Sequence, residues 1–304
     1  MAKSTAITNS TGPRPVTSQL REFGQRFAAS LAVLMRNRLA SLGLMIVLLV
    51  SLTAIFAPYL TTHDPFQMNL PDRIQGPSAK HLMGTDIYGR DIFTRVILGS
   101  RIAMRVAVGA VLIAILIGVP LGALSGYAGG WTDAVIMRFV DAFLAFPGRL
   151  LAIALVAAMG PNFLTFYLAI GLTSIPGYIR VVRASVLSQK EKEYVEAARM
   201  TGEFEFRILF FQILPNCIAP ILVLVSLDFA HAILVESSLS FLGLGFPPPA
   251  PSWGLMLSEA RGYMELAPHV AIIPGLVISL AILGFNLLGD GLRDIFDPRQ
   301  YERE

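Results

Sequence analysis

The sequence predicts an all-α membrane protein with about six transmembrane helices, and three observations carry that prediction. Apolar residues gather into long runs without charge, a Gly-Pro-Asn turn divides the longest run, and basic residues concentrate in alternate loops. The runs cover 39–62, 106–132, 150–179, 208–227 and 266–289, and each supplies the roughly 20 apolar residues that cross a hydrocarbon core. Composition agrees. The chain is 54% hydrophobic and 15% charged, with a mean hydropathy of +0.63, whereas soluble domains carry about 25% charge.

Residues 1–16 are rich in Ser, Thr and Pro and read as a tail without a core. Leu20, Phe23, Phe27, Leu31 and Leu34 then recur at helical spacing among Arg21, Glu22, Arg26 and Ser30. That pattern suits an amphipathic helix on the membrane surface, the alternative being a solvated leader. No apolar signal-peptide core precedes Leu39. The run 150–179 is too long for one span, and Gly160-Pro161-Asn162 lies inside it. Proline removes a helix donor, so the expected spans are 134–158 and 163–180. Asp141 and Arg149 must then sit at the membrane edge or face the protein interior. The resulting organisation is a tail with an amphipathic elbow helix over 1–38, a six-span domain over 39–290 and a tail over 291–304.

Charge sets the orientation. Six spans with an internal N-terminus place 1–38 (six Lys/Arg), 180–207 (six) and the C-terminal tail (three) inside. Outside fall 60–101 with five and 240–268 with Arg261 alone. Five spans would reverse this positive-inside bias, so both termini are expected in the cytoplasm. The net charge of +3 is small and dispersed, which leaves nucleic-acid binding without support. Cys217 is the single cysteine, so no intrachain disulfide forms. His63, His81, His231 and His269 are scattered without the spacing of a zinc site, so no metal is expected. No nucleophile–base set is evident, and no internal repeat suggests a secondary transporter.

The most informative stretch runs from Glu193 to Asn216. It reads as two short cytoplasmic helices broken at Gly202, which takes positive φ and ends the first helix. Glu203 is expected to open the second helix, with Arg207 at i+4. Ala197 and Ala198 leave one face flat for a close partner. Pro215 is expected in the first turn of the fifth span. The spaced set Glu196-Ala197-Ala198, Gly202 and Ile213-Leu214-Pro215 resembles the "EAA" loop of ATP-binding-cassette (ABC) importer permeases. Other segments resemble the dipeptide and oligopeptide branch, in particular its "C" permease. They are Gly84-Thr85-Asp86 with Gly89-Arg90-Asp91, Thr94-Arg95, Gly99 and Arg101; Asp141 to Pro147; Glu236 to Gly245; Pro251-Ser252-Trp253-Gly254; and Gly289 to Asp294 with Asp297-Pro298-Arg299. Thr94 stands where that branch commonly has serine.

The resemblance implies a coupling helix that docks on an ATPase subunit. The implied assembly is a homologous second permease, two ABC ATPases and an extracytoplasmic binding protein in the bacterial inner membrane. The chain has no Gly-x-x-x-x-Gly-Lys phosphate loop, and none of its four lysines follows a glycine. It is therefore expected to bind no cofactor and to catalyse nothing, ATP and Mg2+ belonging to the partners. The cargo stays open among dipeptides, oligopeptides, glutathione, opines and nickel chelates.

Several local readings also stay open. Thr85 or Asp86 caps an interfacial helix whose apolar face is Ile92, Phe93, Val96 and Ile97, or the segment meets substrate or receptor. Residues 247–251 form a rigid turn or contact the binding protein. Asp290, Arg293 and Asp294 form an end cap or touch the ATPase. Asp228, His231 and Glu236 fall within an arc of about 140° on the fifth span. Their shared face is expected toward the second permease or the translocation path, as a packing network, a peptide contact or a metal-chelate site.

Overall fold

The structure is a computed structural model that describes residues 37–296; the elbow helix expected over Leu20–Leu34 lies outside the described residues. The described residues form helices and connecting loops, with one isolated bridge between Thr85 and Asp91 and no strand. Five helices are long and apolar enough to cross a membrane, and a bent helix pair makes the sixth candidate span.

Helix α1 (Arg38–Leu60) starts where the Asn37 side chain accepts the backbone N–H groups of Leu39 and Ala40 at 3.0 and 3.3 Å. Those donors have no partner inside the helix, which is why a short polar side chain recurs at such starts. Helix α2 (Ile92–Ala128) is capped by Asp91, whose Oδ2 accepts the Thr94 N–H at 2.8 Å. At 1.5 Å per residue it is about 55 Å long, more than the hydrocarbon needs, so part of it stands outside the membrane. The expected cap at Thr85 or Asp86 is corrected: both side chains are held within the preceding loop. Thr85 donates to the Asp72 carbonyl at 2.5 Å and accepts from the Gln75 N–H at 2.9 Å.

The third span also departs from expectation. Residues 134–158 were expected to cross as one helix, but α3 (Gly130–Leu144) and α4 (Gly148–Met159) meet at a 79° bend. Pro147 is the N-cap of α4 and has no N–H to continue the ladder. The expected turn at Gly160-Pro161-Asn162 is present. Asn162 then caps α5 (Phe163–Lys190) by accepting the Thr165 N–H at 3.0 Å. Asp141 is exposed and pairs with Arg180 of α5 at 2.8 Å.

Helix α6 (Glu193–Met200) and three short turns (Glu205–Arg207, Ile208–Ile213 and Leu214–Asn216) fill the next connection. The fifth span is α7 (Ile218–Phe241), which carries Asp228, His231 and Glu236 as expected but leaves out the first ten residues of the apolar run 208–227. Ile208, Leu209 and Ile213 are apolar because they pack under α5 beside Val182 and Val186. An apolar run alone does not distinguish protein-facing from lipid-facing residues. Pro215 accordingly precedes the span. A short helix α8 (Trp253–Ala260) follows, and α9 (His269–Phe296) continues past the expected boundary at 290. Asp294 near its end accepts a hydrogen bond from Asn37 Nδ2 at 3.3 Å, tying the last helix to the cap of the first.

The bundle is organised about the α2–α5 seam. Gly118, Gly122 and Gly126 recur every four residues and face Tyr178, Ile179, Val182, Arg183 and Val186. A Cβ at Gly122 would lie 2.7 Å from the Ile179 carbonyl oxygen and 2.9 Å from Val182 Cβ. In lipid there is no hydrophobic force between helices, so close backbone packing through small residues holds them together. Gly43 and Gly284 play the same part between α1 and α9. At the end bearing residues 61–91, Arg90 pairs with Asp86 at 2.6 Å and with Glu259 at 2.5 Å. Arg95 reaches Glu259 at 3.4 Å, and Trp253 Nε1 donates to the Val96 carbonyl at 2.8 Å. The Gly84–Arg101 segment is thus built into the fold, with Arg90 and Arg95 buried and Arg101 exposed.

Substitution at the seam tests this account. Gly122→Ala should lower the melting temperature in detergent by an amount equivalent to about 1–3 kcal/mol of overpacking. Gly177→Ala, where nothing lies within 4 Å of the new Cβ, should leave it unchanged or slightly raised. Equal melting temperatures for the two variants would remove the seam from its central role.

Candidate functional site: the 191–217 loop and the polar residues of the fifth span

The loop is a small amphipathic unit with one face buried in the bundle. Helix α6 ends in a two-bond C-terminal motif: Gly202 N–H donates to the Arg199 carbonyl at 3.0 Å, and Glu203 N–H to the Ala198 carbonyl at 3.2 Å. The motif requires a left-handed residue at its corner, and Gly202 has φ +77°. Val195 and Ala198 point inward and join Tyr178, Val182, Val186, Ile208, Leu209, Ile213 and Cys217 in one apolar cluster. Glu196 and Ala197 are exposed. The expected flat alanine face is therefore split, because residues one apart on a helix point about 100° apart. Ala198 seats the helix and Ala197 stays open.

Past the break, Glu203 lies before the next helical turn rather than opening it, and its Oε1 is 3.8 Å from Arg207 Nε. Gln212 donates to the other Glu203 oxygen. Met200, Phe204, Phe206 and Phe211 are 91%, 83%, 69% and 72% exposed. Sequence reasoning missed these residues. Their signal was four phenylalanines, at 204, 206, 210 and 211, within eight positions of a charged loop, where solvation alone favours none. Within one chain such a patch is unsatisfied, and large exposed apolar patches mark association surfaces.

The loop is anchored to the ends of the long helices. Tyr127 of α2 donates to Glu205, and Arg199 lies 3.5 Å from the same carboxylate. Lys190 Nζ donates to the Gly126 carbonyl at 3.1 Å. Arg183 bonds both oxygens of Asp133 at 2.6 Å, joining α5 to the start of the bent pair. Ile213 is buried, Leu214 half-buried and Pro215 exposed at the hinge into α7. Cys217 is fully buried there. Burial pushes its thiol up to about 11, against a smaller opposing pull from the charge of Lys192.

The three polar residues of α7 are not brought onto one open face. Asp228 turns inward, accepting from Ser174 Oγ of α5 at 2.8 Å, with His231 Nδ1 3.6 Å away. Glu236 is fully buried and accepts from Ser240 Oγ at 2.8 Å. Of the three, His231 alone is exposed, in line with Leu227, Leu234 and Ser238. The expected arc holds, but α5 covers one edge of it and the 252–254 segment approaches the other, since a Cβ on Gly254 would collide with Ser237 and Ser240.

This combination matches known proteins. The family described as "Binding-protein-dependent transport system inner membrane component" matches residues 118–301, and the "N-terminal TM domain of oligopeptide transport permease C" matches 18–77. The chain belongs to the binding-protein-dependent permeases. It is the membrane-spanning subunit of an ABC importer and an inner-membrane protein. The permease is 47% identical over 266 residues to the dipeptide transport system permease protein DppC of Alkalihalophilus pseudofirmus, covering 88% of each chain. It is 45% identical to the glutathione transport system permease protein GsiD of Pectobacterium atrosepticum, covering 94% of this chain and 93% of that protein. The di/tripeptide permease DppC of Pseudomonas aeruginosa is 41% identical, with 93% of each chain covered. In fold, the permease resembles the inward-facing MetNI methionine ABC transporter, with a TM-score of 0.54 at 13% identity over 68% of this chain and 98% of that one.

Cys217 reports whether the loop is seated. With its thiol near 11, about one thiol in a thousand is ionised at pH 8, and the thiolate is the reactive form. Modification of the folded permease by a small maleimide should be slow and should speed up as pH rises, whereas denaturant should make it fast at once. Rapid labelling of the native protein at pH 7 would show that the loop is not packed as described.

Proposed function

We propose that this permease forms half of the translocation path of an ATP-driven peptide importer, with di- or oligopeptides as cargo. The observation that supports this most is the 191–217 loop: one face seated in the bundle, the other an exposed apolar surface beside Glu196. Such a lever transmits motion only if it is packed at both ends. Here the inner end is built from Val195, Ala198 and Ile213, and an ATPase subunit supplies the outer. The names of the relatives favour peptides as cargo. Glutathione is the second reading, favoured by the equally extensive match to the glutathione permease; opine and nickel-chelate cargo have no comparable support.

In this reading the assembly contains a homologous second permease, two ABC ATPases and an extracytoplasmic binding protein. ATP and Mg2+ are held by the ATPases. This chain holds no nucleotide and performs no catalysis. Both termini and the 191–217 loop lie in the cytoplasm, and residues 61–91 and 242–268 lie outside. Closure of the ATPases pushes on α6, and the anchors at Tyr127, Gly126 and Asp133 pass that push to α2, α5 and the bent third span. Asp228 is a packing residue of the α5–α7 contact, and His231 presents the one polar side chain of the three toward the path or the second permease. Uptake of a labelled dipeptide into proteoliposomes should require enclosed ATP and be indifferent to proton or sodium gradients. Uptake driven by an ion gradient without ATP would refute the assignment to this complex.

Orientation is testable independently. In a Cys217→Ser background, a cysteine replacing Lys80 should react with an impermeant thiol reagent on intact cells and one replacing Lys192 should not. Labelling at Lys192 reverses the topology.

Coupling is tested at the break. Proline at 202 would remove the N–H that donates to Arg199 and fix φ near −65°, against the observed +77°. Gly202→Pro should insert normally yet lose nearly all uptake, with ATP hydrolysis uncoupled or unstimulated. Wild-type uptake would remove the coupling role from this loop.

A further inference from the structure

Residues 63 and 81 are far apart in sequence, but the 61–91 loop brings their imidazole rings together, tilted by 34° with centroids 4.9 Å apart. Both face the carboxylate that caps α2. Asp91 uses Oδ2 for the Thr94 N–H, which leaves Oδ1 directed at the histidines. His81 Nδ1 is 2.9 Å and His63 Nδ1 4.0 Å from that oxygen. One ligand atom from each of the three residues lies within 4.8 Å of the others. Around a tetrahedral ion with bonds of about 2.0 Å, ligand atoms stand about 3.3 Å apart, so small side-chain shifts close the set.

A second observation points to a ligand. His81 is 5% exposed, and its Nε2 is buried with no hydrogen-bond partner among the described residues. If Nδ1 carries the proton to Asp91, Nε2 is a stranded acceptor. If Nδ1 binds a cation, Nε2 becomes an N–H facing Asp72 Oδ2, 4.0 Å away. That is the outer carboxylate that metal-bound imidazoles usually have. All four residues line one polar cleft, with Lys80 at its exposed side. The donor set of two imidazoles and one carboxylate suits zinc, and three protein ligands leave a fourth position open to water.

We propose that His63, His81 and Asp91 bind a single Zn2+ ion that clips the end of the first span to the start of the second, on the extracytoplasmic side. His63 is three residues past the end of α1 and Asp91 immediately precedes α2, so the ion closes the whole 61–91 loop. The site is independent of the cargo and of the ATPase contact.

The test uses the full-length chain purified with its partner subunits through a histidine-free tag, stripped with a chelator and titrated with Zn2+. The wild-type complex should bind one more equivalent than the His63→Ala complex, show a higher melting temperature with Zn2+ than with Mg2+, and give tetrahedral visible absorption with Co2+. His63 is partly exposed, so its truncation should not alter the metal-free melting temperature. Asn is as good a helix cap as Asp, so Asp91→Asn should keep α2 intact while weakening Zn2+ binding by about tenfold or more. His269→Ala should bind as wild type does. Equal Zn2+ stoichiometry and affinity in wild type, His63→Ala and Asp91→Asn would overturn the proposal, as would no binding to wild type at micromolar Zn2+.

Discussion

The glycine seam between α2 and α5 is the contact on which the other parts of the permease depend. A bilayer does not drive apolar helices together, so two helices of 37 and 28 residues stay in register through backbone proximity and the groups at their ends. Gly118, Gly122 and Gly126 allow that proximity. The bent third span, the 191–217 loop and α7 are each attached to one of the two helices. Asp133 of the bent third span hangs from Arg183, the 191–217 loop rests on Val182 and Val186, and α7 joins through Ser174 and Asp228.

The two ends of the bundle are built on different physics. At one end, buried arginines at 90 and 95 share Asp86 and Glu259. Breaking one partner of such a buried set leaves an uncompensated charge and costs about 3–5 kcal/mol, which makes that end rigid. At the other end, Arg199, Glu203, Glu205 and Arg207 pair near the surface, where each pair contributes about 0–1 kcal/mol. The apolar contacts of Val195 and Ile213 hold that loop more firmly than its charges. A loop seated by apolar packing and edged by weak ion pairs has no buried charge partner to lose if it shifts.

The broken third span fits between these ends. Its 79° bend falls at Ala145–Pro147, and its first turn is held by Arg183 while Asp141 faces Arg180. Both ion pairs lie on α5, so motion of α5 reaches the bend directly. The polar residues of α7 divide similarly: Asp228 and Glu236 are committed to packing inside this chain, leaving His231 exposed.

The sequence by itself determined the features that depend on local chemistry and on total apolar length. These are the all-α class, the division at Gly160-Pro161-Asn162, the helix break at Gly202 and the family resemblance of the loop around Glu196. Each follows from a backbone preference or a charge-free run that no neighbour needs to complete. Tertiary structure decided which apolar residues face protein rather than lipid. Ile208–Ile213 belongs to a run apolar enough for a span but serves as the floor of the loop, and the fifth span begins at Ile218, past the expected start at Pro215. It decided also that Asp91, not Thr85 or Asp86, caps α2, because the earlier two side chains are taken up by Gln75, Asp72 and Arg90. Histidines at 63 and 81 looked scattered along the chain, and the fold alone set them against one carboxylate. Spacing in sequence reports distance only within a helix or a turn, and a loop that folds back on itself carries no such periodicity.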